Sequence, residues 1–314
     1  MKNVIIIDSS YLVFRSHFAY SKLFYKEQPI GALFGYVKTV LNLIRLYNPA
    51  DIYIAFDLPK PTWRHQVFAE YKAGRGEPDP SMIDQFPIIN NWSKQIATSH
   101  YSQEGFEADD MINTLGYQLS VDDSIDQIII FSADRDLYQM LTLPKVKFYQ
   151  NDGILFGSSE FKLKYQLLPN QWLDFKALVG DNSDNIRGIP GIGPKTATNL
   201  LQTFQNLTTI LDINLETYKV INKIKIKLIE KIQSHKDLLN LNLLLCKLSF
   251  VEGLQIPLQK NKVSYQLNMG LETLQNYGFN SLITEIKNIE NPKITKTESP
   301  KQSEVSQSWG QPLW

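Results

Sequence analysis

Nine acidic residues fall in a pattern that could do chemistry. Asp8 closes the apolar run 4–7, and Asp57 closes the stretch 51–57 (DIYIAFD). Asp134 and Asp136 follow the run 127–132 (QIIIFS). Glu107, Asp109 and Asp110 cluster in Glu107-Ala108-Asp109-Asp110, and Asp181 and Asp184 come from a later segment dense in Gly, Asp, Asn and Pro. Gathered without cations, these carboxylates would repel, and some would have to stay protonated. Hard divalent metals are the simplest solution. Oxygen ligands with no His or Cys cluster favour Mg²⁺ or Mn²⁺ over Zn²⁺. Two such ions roughly 4 Å apart activate a water and stabilise the leaving oxygen of a phosphodiester. Any one of these acids alone reads better as a cap or turn residue. The convergence of separate segments is what argues for a site.

Convergence needs elements that deliver the acids to one edge. Residues 3–8, 51–57 and 127–132 read as buried strands, each ending at or just before an acid. Residues 31–47 carry apolar side chains at helical spacing, 81–98 reads as helix, and 107–119 places 107–110 in a first turn. Strands alternating with helices predict a mostly parallel α/β sheet covered on both faces. In such a sheet all carboxyl ends share one edge, and ligands bind there. From about 159 to 250 the pattern is helices and turns, with a lysine-rich helical stretch at 217–236. Residues 291–314 are poor in aliphatics and read as a disordered tail.

Two further segments could hold an anion. Gly188-Ile189-Pro190-Gly191-Ile192-Gly193-Pro194-Lys195-Thr196 is not a Walker loop, because Pro194 stands in the lysine position and no strand precedes it. It reads better as a tight hairpin between helices, with Pro194 opening the second. Gly188, Gly191 and Gly193 would allow close backbone approach. The free N–H groups of the 195–203 helix, with Lys195 and Thr196, would hold a phosphate. An ordinary helix–helix turn is the plainer alternative. The loop 59–80 sets Arg64, Lys72 and Arg75 among Trp63 and Tyr71. Cations suit phosphate and aromatics stack on unpaired bases; a solvated charged loop is the alternative.

Composition narrows the class. The 314 residues are 43% hydrophobic and 20% charged, ordinary for a protein with a sizeable core. Net charge is zero, which argues against nucleic acid unless bound metals cancel clustered acids and leave the lysines as a basic face. The single cysteine, Cys246, lies in the apolar run 241–248 and reads as core, so no disulfide framework exists. The four histidines have no metal-ligand spacing, and His100 and His235 read as surface residues. No run approaches the roughly 20 apolar residues of a membrane span. A cytoplasmic, nucleoid-associated monomer is the expectation.

The ordered segments DSSYLVFR, FD, TWRH, YKAGR, FEADD, SADRDLYQ and LVGDNSDNIRGIPGIGPKTA resemble the 5′-nuclease domain of bacterial DNA polymerase I and related flap endonucleases, over roughly residues 1–255. The resemblance implies a PIN-like α/β parallel-sheet nuclease core over 1–168, with a helical arch near 59–80. A helix–hairpin–helix DNA-binding region over 169–255 and an extension over 256–290 would follow. It implies that the nine acids form the metal site, that Lys72 stabilises charge on the scissile phosphate, and that Arg75 grips the 5′ strand. Arg15 matches a family arginine, and the 188–196 hairpin would hold duplex backbone, with K⁺ bound there in relatives. Asp-Ser-Ser replaces the common Asp-Gly of the first motif, while Asp8 itself is kept. With no polymerase domain in 314 residues, a stand-alone, fully active 5′→3′ exonuclease and flap endonuclease is expected. It would act on 5′ flaps, nicks and RNA primers in replication and repair. The ending Gln311-Pro312-Leu313-Trp314 resembles a sliding-clamp peptide, although a non-functional tail is the better reading. The alternatives are a PIN-type ribonuclease, which has no need of the GDNSDN and glycine segments, and a catalytically silent DNA-structure-binding protein.

Overall fold

The computed structural model describes residues 1–97, 99–150, 153–215, 223–256 and 265–291. In chain order its core elements are β1 (Asn3–Asp8), α1 (Ser9–Ala19), the hairpin β2 (Phe24–Tyr25) and β3 (Gln28–Pro29), α2 (Gly31–Tyr47) and β4 (Asp51–Ala55). Next come α3 (Trp63–Val67), α4 (Pro80–Ile83), α5 (Phe86–Ile96), β5 (Ser99–Tyr101), α6 (Ala108–Ser120) and β6 (Gln127–Phe131). A 3₁₀ turn (Asp136–Thr142) leads to β7 (Val146–Tyr149), β8 (Leu155–Phe156) and α7 (Ser158–Tyr165). One six-stranded sheet results, ordered β5-β4-β1-β6-β7-β8. All its pairings are parallel except β7 with β8.

Strand alternation builds two cores from one sheet. Val4, Ile6, Ile128 and Ile130 face one side and pack with α6. Ile5, Ile7, Ile129 and Phe131 face the other and pack with α2 and α5. The period of two in a pleated strand is the cause. Near-continuous apolar runs are what a doubly covered parallel sheet demands. Register puts Asp8 level with Ala55 and Ile7 level with Phe131. The carboxyl ends of β1, β4 and β6 therefore share one edge.

Beyond the sheet the chain is mostly helical. It runs through α8 (Trp172–Val179), the short ladder β9 (Gly180–Asp181) and β10 (Ile186–Arg187), α9 (Pro194–Phe204), α10 (Leu207–Leu211), α11 (Lys223–Ser234) and α12 (Lys236–Cys246). Helices α13 (Leu271–Asn276) and α14 (Asn280–Glu290) then return to the first region. Leu274, Phe279, Leu282 and Ile286 join the core of α2 and α5. The segment expected as an extension is thus part of the packed sheet domain. No described helix is long and apolar enough to cross a membrane.

Several boundaries differ from expectation. The second strand stops at Ala55, so Asp57 stands on the loop beyond it. The helix expected over 81–98 is broken between Ile83 and Phe86; Pro87 lies in the first turn of α5, where a proline opens a helix cheaply. Strands β5, β7 and β8 are too short to show in a sequence window. The tail from 292 onward, with its Gln311 peptide, lies outside the described residues, as does 217–222 of the lysine-rich stretch.

One buried arginine ties the parts together. Arg64 is 3% exposed. Its guanidinium donates Nη1 to Asp110 Oδ2 at 2.7 Å and Nη2 to Asp110 Oδ1 at 2.9 Å. It also donates Nη1 to Glu107 Oε2, Nε to the Leu245 carbonyl and Nη2 to the Lys247 carbonyl. The planar fork suits this bidentate geometry. Arg64 was expected to contact DNA; its burial and saturated donors make it instead a pin between α3, α6 and the end of α12. Asp110, expected as a metal ligand, is fully buried and accepts from Arg64, the Glu107 N–H and the Ser249 N–H. It is a structural anchor, not an open ligand. Arg64→Ala leaves that carboxylate buried and unpaired and should cost roughly 3–5 kcal/mol. A denaturant midpoint equal to that of the unaltered protein would disprove this role.

Candidate metal centre and its basic flanks

The carboxyl edge gathers acids from every segment named above, but they fall into two groups. Asp8, Asp57, Asp109 and Asp134 take part in none of the ion pairs of the described residues, whereas Glu107, Asp136, Asp181 and Asp184 each face a cation.

The unpaired group is held by neutral donors. Asp8 ends β1 and caps α1: its Oδ1 accepts the Tyr11 N–H at 3.0 Å and its Oδ2 accepts the Ser132 hydroxyl at 2.7 Å. Asp57 Oδ1 accepts the Ala108 N–H at 2.7 Å, at the start of α6, where the helix dipole favours negative charge. Asp134 Oδ1 accepts the Asp136 N–H, and its own N–H donates to Ser132 Oγ. Burial, then the nearby Asp57, pushes the Asp8 carboxyl up to about 7 despite its hydrogen bonds. Burial, followed by Asp134, Asp8 and Glu107, raises Asp109 well above the ordinary carboxylate range. These are the perturbations that crowded, uncompensated acids must show.

The paired group is compensated from within. Lys72 Nζ lies 2.6 Å from Glu107 Oε1 and Arg75 Nη2 lies 2.7 Å from Asp184 Oδ1. The Lys72 backbone is in the left-handed region at φ 59, and its N–H donates to the Asp184 carbonyl. A lysine in that conformation is strained, and such strain persists where the surroundings impose it. Lys176 reaches both Asp136, at 2.6 Å, and Asp181. Burial alone would lower the Lys176 ammonium, but the two carboxylates outweigh it and hold it above its ordinary value. Burial raises Asp136 to about 6, with Lys176 opposing. Lys176 was not anticipated. It lies five residues before Asp181 on α8, and only the fold turns that spacing into an ion pair.

Other expected contacts sort by exposure. Tyr71 is 4% exposed, with its hydroxyl 2.9 Å from Asp184 Oδ2 and 3.1 Å from Glu107 Oε2. It braces two acids and offers no face for stacking on DNA. Arg75 remains half exposed beside the acids. Arg15 lies over the Phe131 ring at 5.4 Å. In the hairpin, a Cβ at Gly188 would meet the Val179 carbonyl oxygen at 2.0 Å, so that glycine serves helix packing, not ligand approach. Gly191 is at φ 78, while Gly193 has open space and precedes Pro194, with Lys195 exposed and Thr196 half-buried on α9. His100, expected at the surface, is half-buried and stacked on Phe56, and burial brings it down to about 4. Cys246 is buried as expected.

The donor set fits hard divalent ions, because every open ligand is a carboxylate oxygen and the crowded group is short of positive charge. Among the described residues no three acid, His or Cys side chains are arranged as they stand to hold one metal ion. The acids make an open array.

The family model for the 5′-3′ exonuclease N-terminal resolvase-like domain matches residues 3–166, and that for the 5′-3′ exonuclease C-terminal SAM fold matches 167–268. The chain is 36% identical to a 5′-3′ exonuclease of Mycoplasmopsis pulmonis over 70% of this chain and 72% of that protein. It is 32% identical to the thermostable DNA polymerase I of Thermus thermophilus over 92% of this chain, which spans 34% of that longer protein. In fold it is similar to the T5 D15 protein co-crystallised with metal ions, at TM-score 0.64 and 22% identity, covering 92% of this chain and 98% of the other. It is also similar to the catalytic core of Rad2 in complex with DNA substrate, at TM-score 0.57 and 14% identity, covering 94% and 92%. The chain belongs to the 5′-3′ exonuclease family.

Proposed function

We propose that this protein is a divalent-metal-dependent, structure-selective 5′→3′ exonuclease and flap endonuclease. It would hydrolyse phosphodiesters of flapped, nicked or RNA-primed DNA in replication and repair. The observation that carries the reading is the split among the acids: an uncompensated set at one sheet edge beside a set already matched to Lys72, Arg75 and Lys176.

On this reading Asp8, Asp57, Asp109 and Asp134 are the principal metal ligands. Glu107, Asp136, Asp181 and Asp184 lie around them, and Asp110 supports from behind. Two Mg²⁺ or Mn²⁺ ions, when bound, would lower the pKa of water and neutralise charge on the phosphate. Lys72 is positioned to exchange its Glu107 partner for a non-bridging phosphate oxygen, stabilising charge that develops there. Arg75, half exposed, would grip the strand entering past 59–80. Gly191, Gly193, Lys195 and Thr196 would hold duplex backbone at the start of α9, with K⁺ as a candidate there. Residues 1–168 would then be the catalytic core and 169–255 the duplex-holding region. The enzyme would work on chromosomal DNA in the cytoplasm beside a polymerase. That the Rad2 core and the T5 protein were solved with DNA substrate and with metal ions, respectively, supports the substrate class and the metal.

A 5′-labelled flap on a nicked duplex tests this. Cleavage near the junction should require Mg²⁺, vanish in EDTA, and fall at least about a hundredfold in Asp134→Ala, as for loss of a main source of charge stabilisation. Binding without cleavage in any metal would leave a DNA-binding protein, and neither would point to structured RNA. A second expectation follows from Asp8. A carboxyl held up at about 7 when folded favours the folded state while protonated, so its contribution is present at low pH and lost as pH rises towards and through 7. In EDTA the melting temperature should therefore fall between about pH 5 and 8. Asp8→Asn should flatten that fall, and Mg²⁺ should reverse it at the alkaline end. A melting curve that rises with pH over this range would contradict the burial and crowding described for Asp8.

A further inference from the structure

A cleft of about 230 Å³ opens beside the acids, and neither Lys72 nor Arg75 lines it. It adjoins the metal centre through Ser132 and Tyr11. Ser132 donates its hydroxyl to Asp8 and accepts the Asp134 N–H, and the Tyr11 N–H donates to Asp8. Three cations line it: Arg15, Arg135 and Lys164. None of its lining residues is an Asp or Glu.

The charges are placed by aromatic rings and backbone. Arg15 lies over Phe131 at 5.4 Å, and Lys164 lies over Phe156 at 5.8 Å and Tyr165 at 5.5 Å. Rings fix a cation without cancelling its charge for an incoming anion. The main chain of Arg135 is anchored where its carbonyl accepts the Trp172 indole N–H at 2.6 Å. Burial, then the neighbouring Arg135, holds the Lys164 ammonium below its ordinary range, as expected for two cations sharing one cleft. A structural role alone would favour a carboxylate between them. The cleft instead concentrates positive potential a few bonds from the acids.

We propose that this cleft binds a phosphate of the nucleic acid at a point separate from Lys72 and Arg75, with Arg135 and Lys164 as its contacts beside Arg15. The proposal rests on the nuclease reading for its choice of ligand. It means that a strand crossing the acids is gripped at two points, by Lys72 and Arg75 and by this cleft. Two grips that share no residue would align the phosphodiester between them, since phosphate contacts set register without reading sequence.

The test measures binding of a fluorescent nicked-flap duplex in Ca²⁺, over a range of salt, for the unaltered protein, Lys164→Ala, Lys164→Arg and Arg135→Gln. Loss of one phosphate contact should weaken binding several-fold at low salt and reduce the slope of log K against log salt by about one. Lys164→Arg should restore both, because it keeps the charge. Lys164 is exposed and its removal opens no cavity, so misfolding does not confuse the result. If Lys164→Ala and Arg135→Gln both bind with unaltered affinity and slope, or if the unaltered protein does not bind the duplex, the proposal is wrong. Cleavage by the unaltered protein in Mg²⁺ on the same duplex reports separately on the nuclease reading. A weakened Lys164→Ala with no cleavage anywhere would keep the phosphate site and remove the enzyme.

Discussion

Repulsion among carboxylates is the constraint around which this molecule is organised. Eight acids open onto one edge of a sheet, and the low-dielectric core behind them magnifies their mutual cost. The chain meets that cost in two ways. Glu107, Asp136, Asp181 and Asp184 are matched by Lys72, Arg75 and Lys176 from other segments. Asp8, Asp57 and Asp134 are left to neutral hydroxyl and N–H donors, and burial drives Asp8 and Asp109 towards protonation. The second set is where a divalent cation gains most. The first keeps its own cations close to where the developing charge of a phosphate would be.

The Arg64–Asp110 pair makes this arrangement rigid. Asp110 takes both forks of the guanidinium, and Arg64 spends its remaining donors on Glu107 and on two carbonyls at the end of α12. One buried side chain thus fixes α6, which carries Glu107 and Asp109, relative to the helical region that carries Asp181 and Asp184. Tyr71 adds a second brace between Glu107 and Asp184. Site geometry here is inseparable from domain packing.

The net charge of zero is explained by the same arrangement. Acids are concentrated at one sheet edge, while Arg15, Arg135 and Lys164 line the cleft beside it and Lys195 is exposed on α9. Global charge averages over two opposite local fields, and only the local fields meet a ligand.

The sequence by itself determined the layout of strands β1, β4 and β6 and the acids at their ends. Apolar runs closed by an acid need only local pattern to be read, and a parallel sheet then places them together. It also determined the buried state of Cys246 and the helix opened by Pro194. Only the tertiary structure decided which acids are open. Arg64 looks in sequence like Arg75, a cation in a polar loop; contacts with α6 and the carbonyls of Leu245 and Lys247, some 180 residues away, bury one and leave the other at the surface. Tyr71, Gly188 and Lys176 changed or gained roles for the same reason. Burial and ion pairing depend on neighbours distant along the chain, and no local spacing encodes them.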